Sequence, residues 1–122
     1  MVILMRTDLG MGAGKMASQA AHAATAFMID YMNSAKSSDA AFHWLYVDEI
    51  NDPSWPYGGM RKVVLGVKNE HELLFYTAKA IHAGLETNAV MDEKLETYTC
   101  ASIGPDWDYN INPITKTLEL LK

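Results

Sequence analysis

Cys100 is the only cysteine in this chain. No internal disulfide can form, and no cysteine-based metal site can be built. A lone thiol fits a reducing, cytoplasmic setting. Long apolar runs are also missing. Nothing approaches the ~18 apolar residues of a membrane-spanning helix, so no membrane partner is expected. The opening Met1-Val2-Ile3-Leu4-Met5-Arg6 is too short for a secretion signal, and its charge follows the apolar residues instead of preceding them. Cations are scarce: 10 Lys and Arg stand against 15 Asp and Glu, for a net charge of −5. That excludes indiscriminate nucleic-acid binding through bulk charge. A local basic patch stays open, with Lys15, Arg61, Lys62 and Lys68 as candidates if the fold gathers them. His43, His71 and His82 stand at no metal-ligand spacing and read as surface residues.

What is present is an ordinary globular composition, 49% apolar and 20% charged over 122 residues, enough for one domain, 1–122, with its own core. The most informative stretch is Met5 to Ala24. An apolar strand end leads into a loop with three glycines, Gly10, Gly12 and Gly14, and then into a helix carrying Lys15 in its first turn. A helix N-terminus offers free N–H groups and a partial positive charge, suited to an anion or a developing oxyanion. Gly12 and Gly14 let a ligand approach the backbone closely. A nucleotide-binding P-loop is excluded. G-x-x-x-x-G-K-[ST] requires glycine where Leu9 stands and a hydroxyl where Met16 stands.

The remaining elements follow from periodicity and punctuation. Val2 to Arg6 reads as a central strand, apolar on both faces. Lys15 to about Asn33, free of proline and rich in alanine, reads as a helix. Asp39 to about Val47 can restart a helix, and Asn51 to Gly59 is a Pro- and Gly-rich loop. Lys62 to Val67 is a second strand. Asn69 is an N-cap with Glu72 three residues on, and Gly84 ends that helix. Leu74, Ala78 and Ile81 mark its expected buried stripe. Thr87 to Met91 and Thr97 to Ile103 are strands three and four. Ile111 to about Thr117 is a short last helix, after which Leu118 to Leu121 either extends it or covers the sheet. Helical connections make strand pairs one–two and two–three parallel, and the short link makes three–four an antiparallel hairpin. The expected fold is α/β, a three-layer α/β/α arrangement whose mixed four-stranded sheet has three parallel strands and an antiparallel last one. Ligands of such sheets sit beyond the C-terminal ends of the parallel strands. The loop before Lys15 and Asp92 both fall there.

Arg6, Asp8-Leu9, Met11-Gly12, Gly14-Lys15, Ala17, Gln19 and His22-Ala23 resemble, in order and spacing, the N-terminal signature of the archaeal/eukaryotic-type peptidyl-tRNA hydrolases. Trp44, Lys62-Val63-Val64-Leu65, Glu70 to Leu74, Ala83-Gly84-Leu85, Ile103-Gly104-Pro105 and Ile111, Thr115, Leu118 and Leu120 extend the resemblance over nearly the whole chain. Two places depart from it. The loop Asp48 to Gly59 is longer than usual. Between strands three and four the family pattern D-A-G-x-T-x-I-x-P-G-[ST]-x-T is shortened to Asp92-Glu93-Lys94-Leu95-Glu96-Thr97-Tyr98-Thr99, which keeps the aspartate and last threonine and loses the A-G, the loop threonine and the P-G.

The resemblance implies hydrolysis of the ester between a peptide and the 3′ ribose of tRNA, without metal or cofactor, by a homodimer acting on peptidyl-tRNA. It implies Lys15, Asp92 and Thr99 as catalytic residues. Asp92 would orient or deprotonate water, Lys15 would stabilise the oxyanion or hold a phosphate, and Thr99 would position water or ribose. A Lys15–Asp92 pair would make the carboxylate a weaker base. Gly12, Gly14, Gln19, His22 and Thr97 are the expected substrate contacts, Thr97 standing in for the missing loop threonine. Gln19 and His22 share the face of Lys15 and serve either the acceptor end or packing beneath the loop. Asp8 reads as a loop-structuring residue. Trp55, Tyr57 and Trp107 either stack on nucleotides or pack. Two rival functions are a tRNA- or protein-binding module of the same fold with impaired catalysis, and a hydrolase of another small acyl ester or amide.

Overall fold

Five consecutive buried residues form β1, Val2–Arg6. Val2 and Leu4 face one side and Ile3 and Met5 the other, the alternation of a strand. The structure, a computed structural model, describes residues 1–33 and 61–122. The expected helix from Asp39, the loop from Asn51 to Gly59, and His43, Trp44, Trp55 and Tyr57 lie outside the described residues. After β1 come α1 (Ala13–Asn33), β2 (Val63–Val67), α2 (Glu70–His82), β3 (Thr87–Asp92), β4 (Thr97–Ile103) and α3 (Asp108–Thr115).

The sheet order is β2-β1-β4-β3. β1 and β2 pair parallel, while β4 runs antiparallel to both β1 and β3. The expected directions therefore hold: β1, β2 and β3 point one way and β4 the other. The adjacency does not. β2 and β3 sit at opposite edges, because the hairpin docks on β1 through β4 and not through β3. β4 has Cys100, Ala101, Ser102 and Ile103 all buried, as an inner strand must. β3 alternates buried and exposed residues and takes the edge. β2's outer edge is covered by the C-terminal tail. Leu121 N–H donates to Val64 O and Gly66 N–H to Glu119 O, both at 3.0 Å. Of the two outcomes open to Leu118–Leu121, covering the sheet is the observed one, and it closes an edge that would otherwise template pairing.

Two apolar layers sandwich the sheet. α1 packs on one face over Ile3, Met5 and Cys100 through Ala23. α2 and α3 pack on the other over Val2, Leu4, Leu65, Val67, Ala101 and Ile103 through Leu73, Ala80, Ile111 and Ile114. The three-layer α/β/α arrangement is thus as expected. The stripe on α2 is not. Leu73, Thr77 and Ala80 are buried, while Leu74 and Ile81 are 41% and 60% exposed and Ala78 is exposed. The polar Thr77 hid the true face. Its hydroxyl is satisfied inside the helix by Leu73 O at 2.7 Å, so it is buried without an unmet donor.

The punctuation reading holds. Asn69 Oδ1 accepts from Glu72 N–H at 2.9 Å, and Gly84, at φ +81°, takes the left-handed position after α2 that a side chain would strain. Glu72 reaches back to Lys68 N–H, one residue before the cap, instead of closing a capping box on Asn69.

β4 carries one irregularity that shapes the site. Val90 pairs with Cys100 but Met91 pairs with Tyr98, so Thr99 is the extra residue of a β-bulge. The bulge puts both Thr99 and Cys100 against Gln19 of α1.

Leu73→Ala should lower the unfolding free energy in urea by about 2–5 kcal/mol. Asn69→Ala should lower it by about 1 kcal/mol. A Leu73→Ala cost well under 1 kcal/mol would place the other stripe of α2 on the sheet.

Candidate active site

The C-terminal ends of β1 and β3 lie beside the start of α1, and the loop between β1 and α1 is pinned there by a buried arginine. Arg6, 7% exposed, ends an apolar strand and must find partners. Its Nε and Nη2 donate to the two oxygens of Asp8 at 2.9 and 2.8 Å, and its Nη1 donates to Thr97 Oγ1 and Tyr98 O at 2.8 and 3.0 Å. One guanidinium thereby ties the glycine loop to the start of β4. Hydrogen bonding from Arg6 holds the Asp8 carboxyl below its usual range. Asp8 is the loop-structuring residue expected of it, and Thr97 is joined to this clamp.

The loop leads into α1, whose N–H of Met16 is bonded to Gly12 O at 3.0 Å. Gly12 and Gly14 have nothing within 4 Å of where a side chain would begin, so the approach to Lys15 is open. Lys15 Nζ donates to Asp92 Oδ2. The lysine side chain is 39% exposed and the aspartate 8%, so the lysine stays partly accessible while its counter-ion is held inside.

Asp92 accepts from every side. Oδ2 takes Lys15 and Gln19 Nε2, the latter at 3.1 Å. Oδ1 takes the backbone N–H of Lys94 and of Leu95, both at 2.9 Å. The hydrogen bond from Lys15 and then that from Leu95 hold its carboxyl below the ordinary range. Hydrogen bonds to the charged form favour that form, so this carboxylate is a firm anchor and a weak base. The two backbone donors come from the four-residue turn that follows β3. The short hairpin lets Asp92 cap its own turn.

Gln19 extends the network inward. It is 4% exposed, and its Oε1 accepts from Thr99 Oγ1 at 2.5 Å while its Nε2 serves Asp92. Only one orientation of the amide satisfies both. Thr99 is fully buried. It meets no solvent, and its hydroxyl reaches the site through Gln19. Cys100 beside it donates to Gln19 O at 3.3 Å, and burial pushes its thiol up to about 11, so it is inert as a nucleophile.

The sequence-predicted residues therefore divide. Lys15, Asp92, Gln19 and Thr99 form one connected chain. Gly12 and Gly14 flank the lysine. His22 is exposed one turn beyond Gln19. Thr97 belongs to the Arg6 clamp. The four candidate cations are not gathered as one group: Lys68 follows β2 at the same end of the sheet as Lys15, but Arg61 and Lys62 precede β2 at the opposite end, and Arg61 pairs with Asp108 at 3.2 Å. Trp107 follows β4 at that same far end, where its ring stacks on Tyr109 at 6.3 Å. His71 and His82 are exposed, as expected. Among the described residues, no group of three or more His, Cys, Asp or Glu could hold a metal ion, and no helix is long and apolar enough to cross a membrane. Sequence reasoning missed Arg6 as the clamp. The signal was an arginine closing an apolar strand with an aspartate two residues on.

A groove of about 630 Å³ opens beside this chain of bonds, between α1 and β3. An anchored ammonium at a helix N-terminus, beside an open groove, is an arrangement able to polarise a carbonyl. The comparisons with known proteins make the class specific. A family profile described as Peptidyl-tRNA hydrolase PTH2 matches residues 1–121, and the chain belongs to that family. Proteins named peptidyl-tRNA hydrolase from Metallosphaera sedula and Sulfolobus acidocaldarius are each 40% identical to it over 99% of this chain and 98% of their own. One from Sulfurisphaera tokodaii is 39% identical over 99% and 97%.

The pH dependence of stability follows from Asp92. Its folded-state pKa lies below its unfolded value of about 3.9, so its contribution is complete above that value and is lost as pH falls through the lowered folded one. The stability gap between wild type and Asp92→Asn should be constant above about pH 5 and close at lower pH. Urea unfolding across pH 2–7 measures it, and a gap that widens on acidification would contradict the assignment.

Proposed function

We propose that this chain hydrolyses the ester between a peptide and the 3′ ribose of tRNA, releasing both. The observation that carries the reading is the anchored Lys15 ammonium at the start of α1, in a member of this family. Water adds to the ester carbonyl carbon, and the carbonyl oxygen becomes an oxyanion. Lys15 Nζ and the free N–H groups of the first turn stabilise that charge as it develops. The C–O bond to the ribose then breaks, and the ribose oxygen leaves with the proton that the attacking water gives up. Asp92, its four acceptor positions filled and its charge tightly held, aims Lys15 and takes no proton from the attacking water. Gln19 and Thr99 position Asp92, and Thr99, fully buried, does not touch the substrate. Gly12 and Gly14 give the ester its close approach, and His22 flanks the bound substrate. Thr97 steadies the loop through Arg6.

The finer parts of this reading are a metal-free reaction and a homodimer working in the cytoplasm. Support for self-association comes from α2, which leaves Leu74, Phe75 and Ile81 between 41% and 60% exposed, an apolar stripe of the kind that marks an interface. The single buried thiol suits a reducing compartment.

Purified protein should release tRNA from peptidyl-tRNA, and turnover should survive EDTA. Lys15→Ala should lower kcat by about 10²–10³, the loss seen when one oxyanion donor is removed. A folded wild type without turnover would reject the reading. In sedimentation the protein should run at about twice its 13.5 kDa mass, and Ile81→Glu should shift it to the monomer. A wild-type monomer at micromolar concentration would reject the dimer.

A further inference from the structure

β3 is an edge strand among the described residues. Glu86 turns its carbonyl inward to Gly104 N–H at 2.8 Å. Strand alternation then turns the backbone N–H and C=O groups of Thr87, Ala89 and Met91 outward. This open edge forms one wall of the groove that begins at Lys15 and Asp92. The other wall is the α1 stripe Ser18, His22, Thr25 and Ile29, whose spacing of four, three and four residues puts them on one helix face. All four are exposed.

We propose that this groove holds the peptide arm of the substrate, added as a parallel strand on the free edge of β3. The proposal rests on the hydrolase reading, which fixes the direction. The peptide's C-terminal carbonyl must lie at Lys15, so its N-terminus runs back toward Ala89 and Ile29. β3 itself runs toward Asp92, and the added strand is parallel to it. Length agrees. Lys15 to Ile29 is about 21 Å of helix, room for about six extended residues.

Charge distinguishes the peptide from the RNA as occupant. The cations lining the groove, Lys15 and Lys94, both stand at the Asp92 end, where Asp92 and Glu93 oppose them. From Ser18 to Ile29 the wall carries no lysine or arginine, whereas an RNA strand needs cations along its phosphates. A backbone ladder has the further property that it reads no side chains. It accepts peptides of any sequence, which a hydrolase of peptidyl-tRNA must do.

The test uses wild-type protein and tRNA carrying N-acetylated peptides, from one residue to about eight. kcat/KM should rise with length and level off at about six residues. A scan of single N-methyl groups along a six-residue peptide should lower kcat/KM by roughly three- to tenfold at alternate positions, as each lost hydrogen bond predicts, and leave the intervening ones unaffected. Turnover that ignores both length and N-methylation would overturn the groove proposal while leaving the hydrolase reading intact. So would the same indifference combined with loss of turnover on shortening the acceptor stem, which would give the groove to RNA. No release from any substrate would overturn both readings.

Discussion

The Asp92 carboxylate accepts four hydrogen bonds, two from α1 and two from the turn after β3. Lys15 and Gln19 bring α1 to it. The Lys94 and Leu95 amides bring the hairpin turn. Thr99 adds β4 through Gln19. A carboxylate so fully satisfied is held in place and in charge, and little basicity remains. The consequence is a division of labour. The inner partner fixes geometry, and in the proposed reaction the partly exposed lysine meets the substrate. Catalysis by a prearranged charge asks for such an arrangement, because a donor aimed in advance needs no reorganisation when the oxyanion forms.

The short hairpin and the bulge belong together. With four residues between β3 and β4, the turn amides fall within reach of Asp92 itself. The residues lost relative to the family pattern leave no gap in the aspartate's coordination. The bulge at Thr99 then rotates a hydroxyl toward α1 that strict alternation would have sent to the other face. Arg6 completes the frame from the other side by clamping the glycine loop to Tyr98 and Thr97. Two chain segments far apart in sequence, residues 6–19 and 92–99, thus meet around one helix start.

Much of this was legible in advance. β1, α1, the Asn69 cap, the Gly84 stop and the hairpin each carry a local signal: an apolar run, an alanine-rich stretch, a capping side chain, a φ only glycine takes easily, a short link. The meeting of Lys15 and Asp92 was legible too, because strand direction alone sends both to the same end of the sheet. The errors are equally specific. On α2, leucine, phenylalanine, tyrosine, alanine and isoleucine are spread around the helix, so periodicity could not choose between Leu73 and Leu74. The buried member of the true stripe, Thr77, looks polar until its bond to Leu73 O is seen. Adjacency of β2 and β3 was inferred from connection, and connection does not say which strand of a hairpin docks inward.

The sequence by itself determined the elements, their directions, the family and the identity of the charged pair, because these rest on residue type and spacing within single segments. Tertiary structure decided what those residues do to one another. It made Gln19 a link between Asp92 and Thr99, buried Thr99 away from solvent, and set Thr97 on the Arg6 clamp. Among the described residues it also left the edge of β3 free beside Lys15. Those outcomes depend on sheet order and on one extra residue in β4. Both are settled by packing between segments dozens of residues apart, where local propensity carries no information.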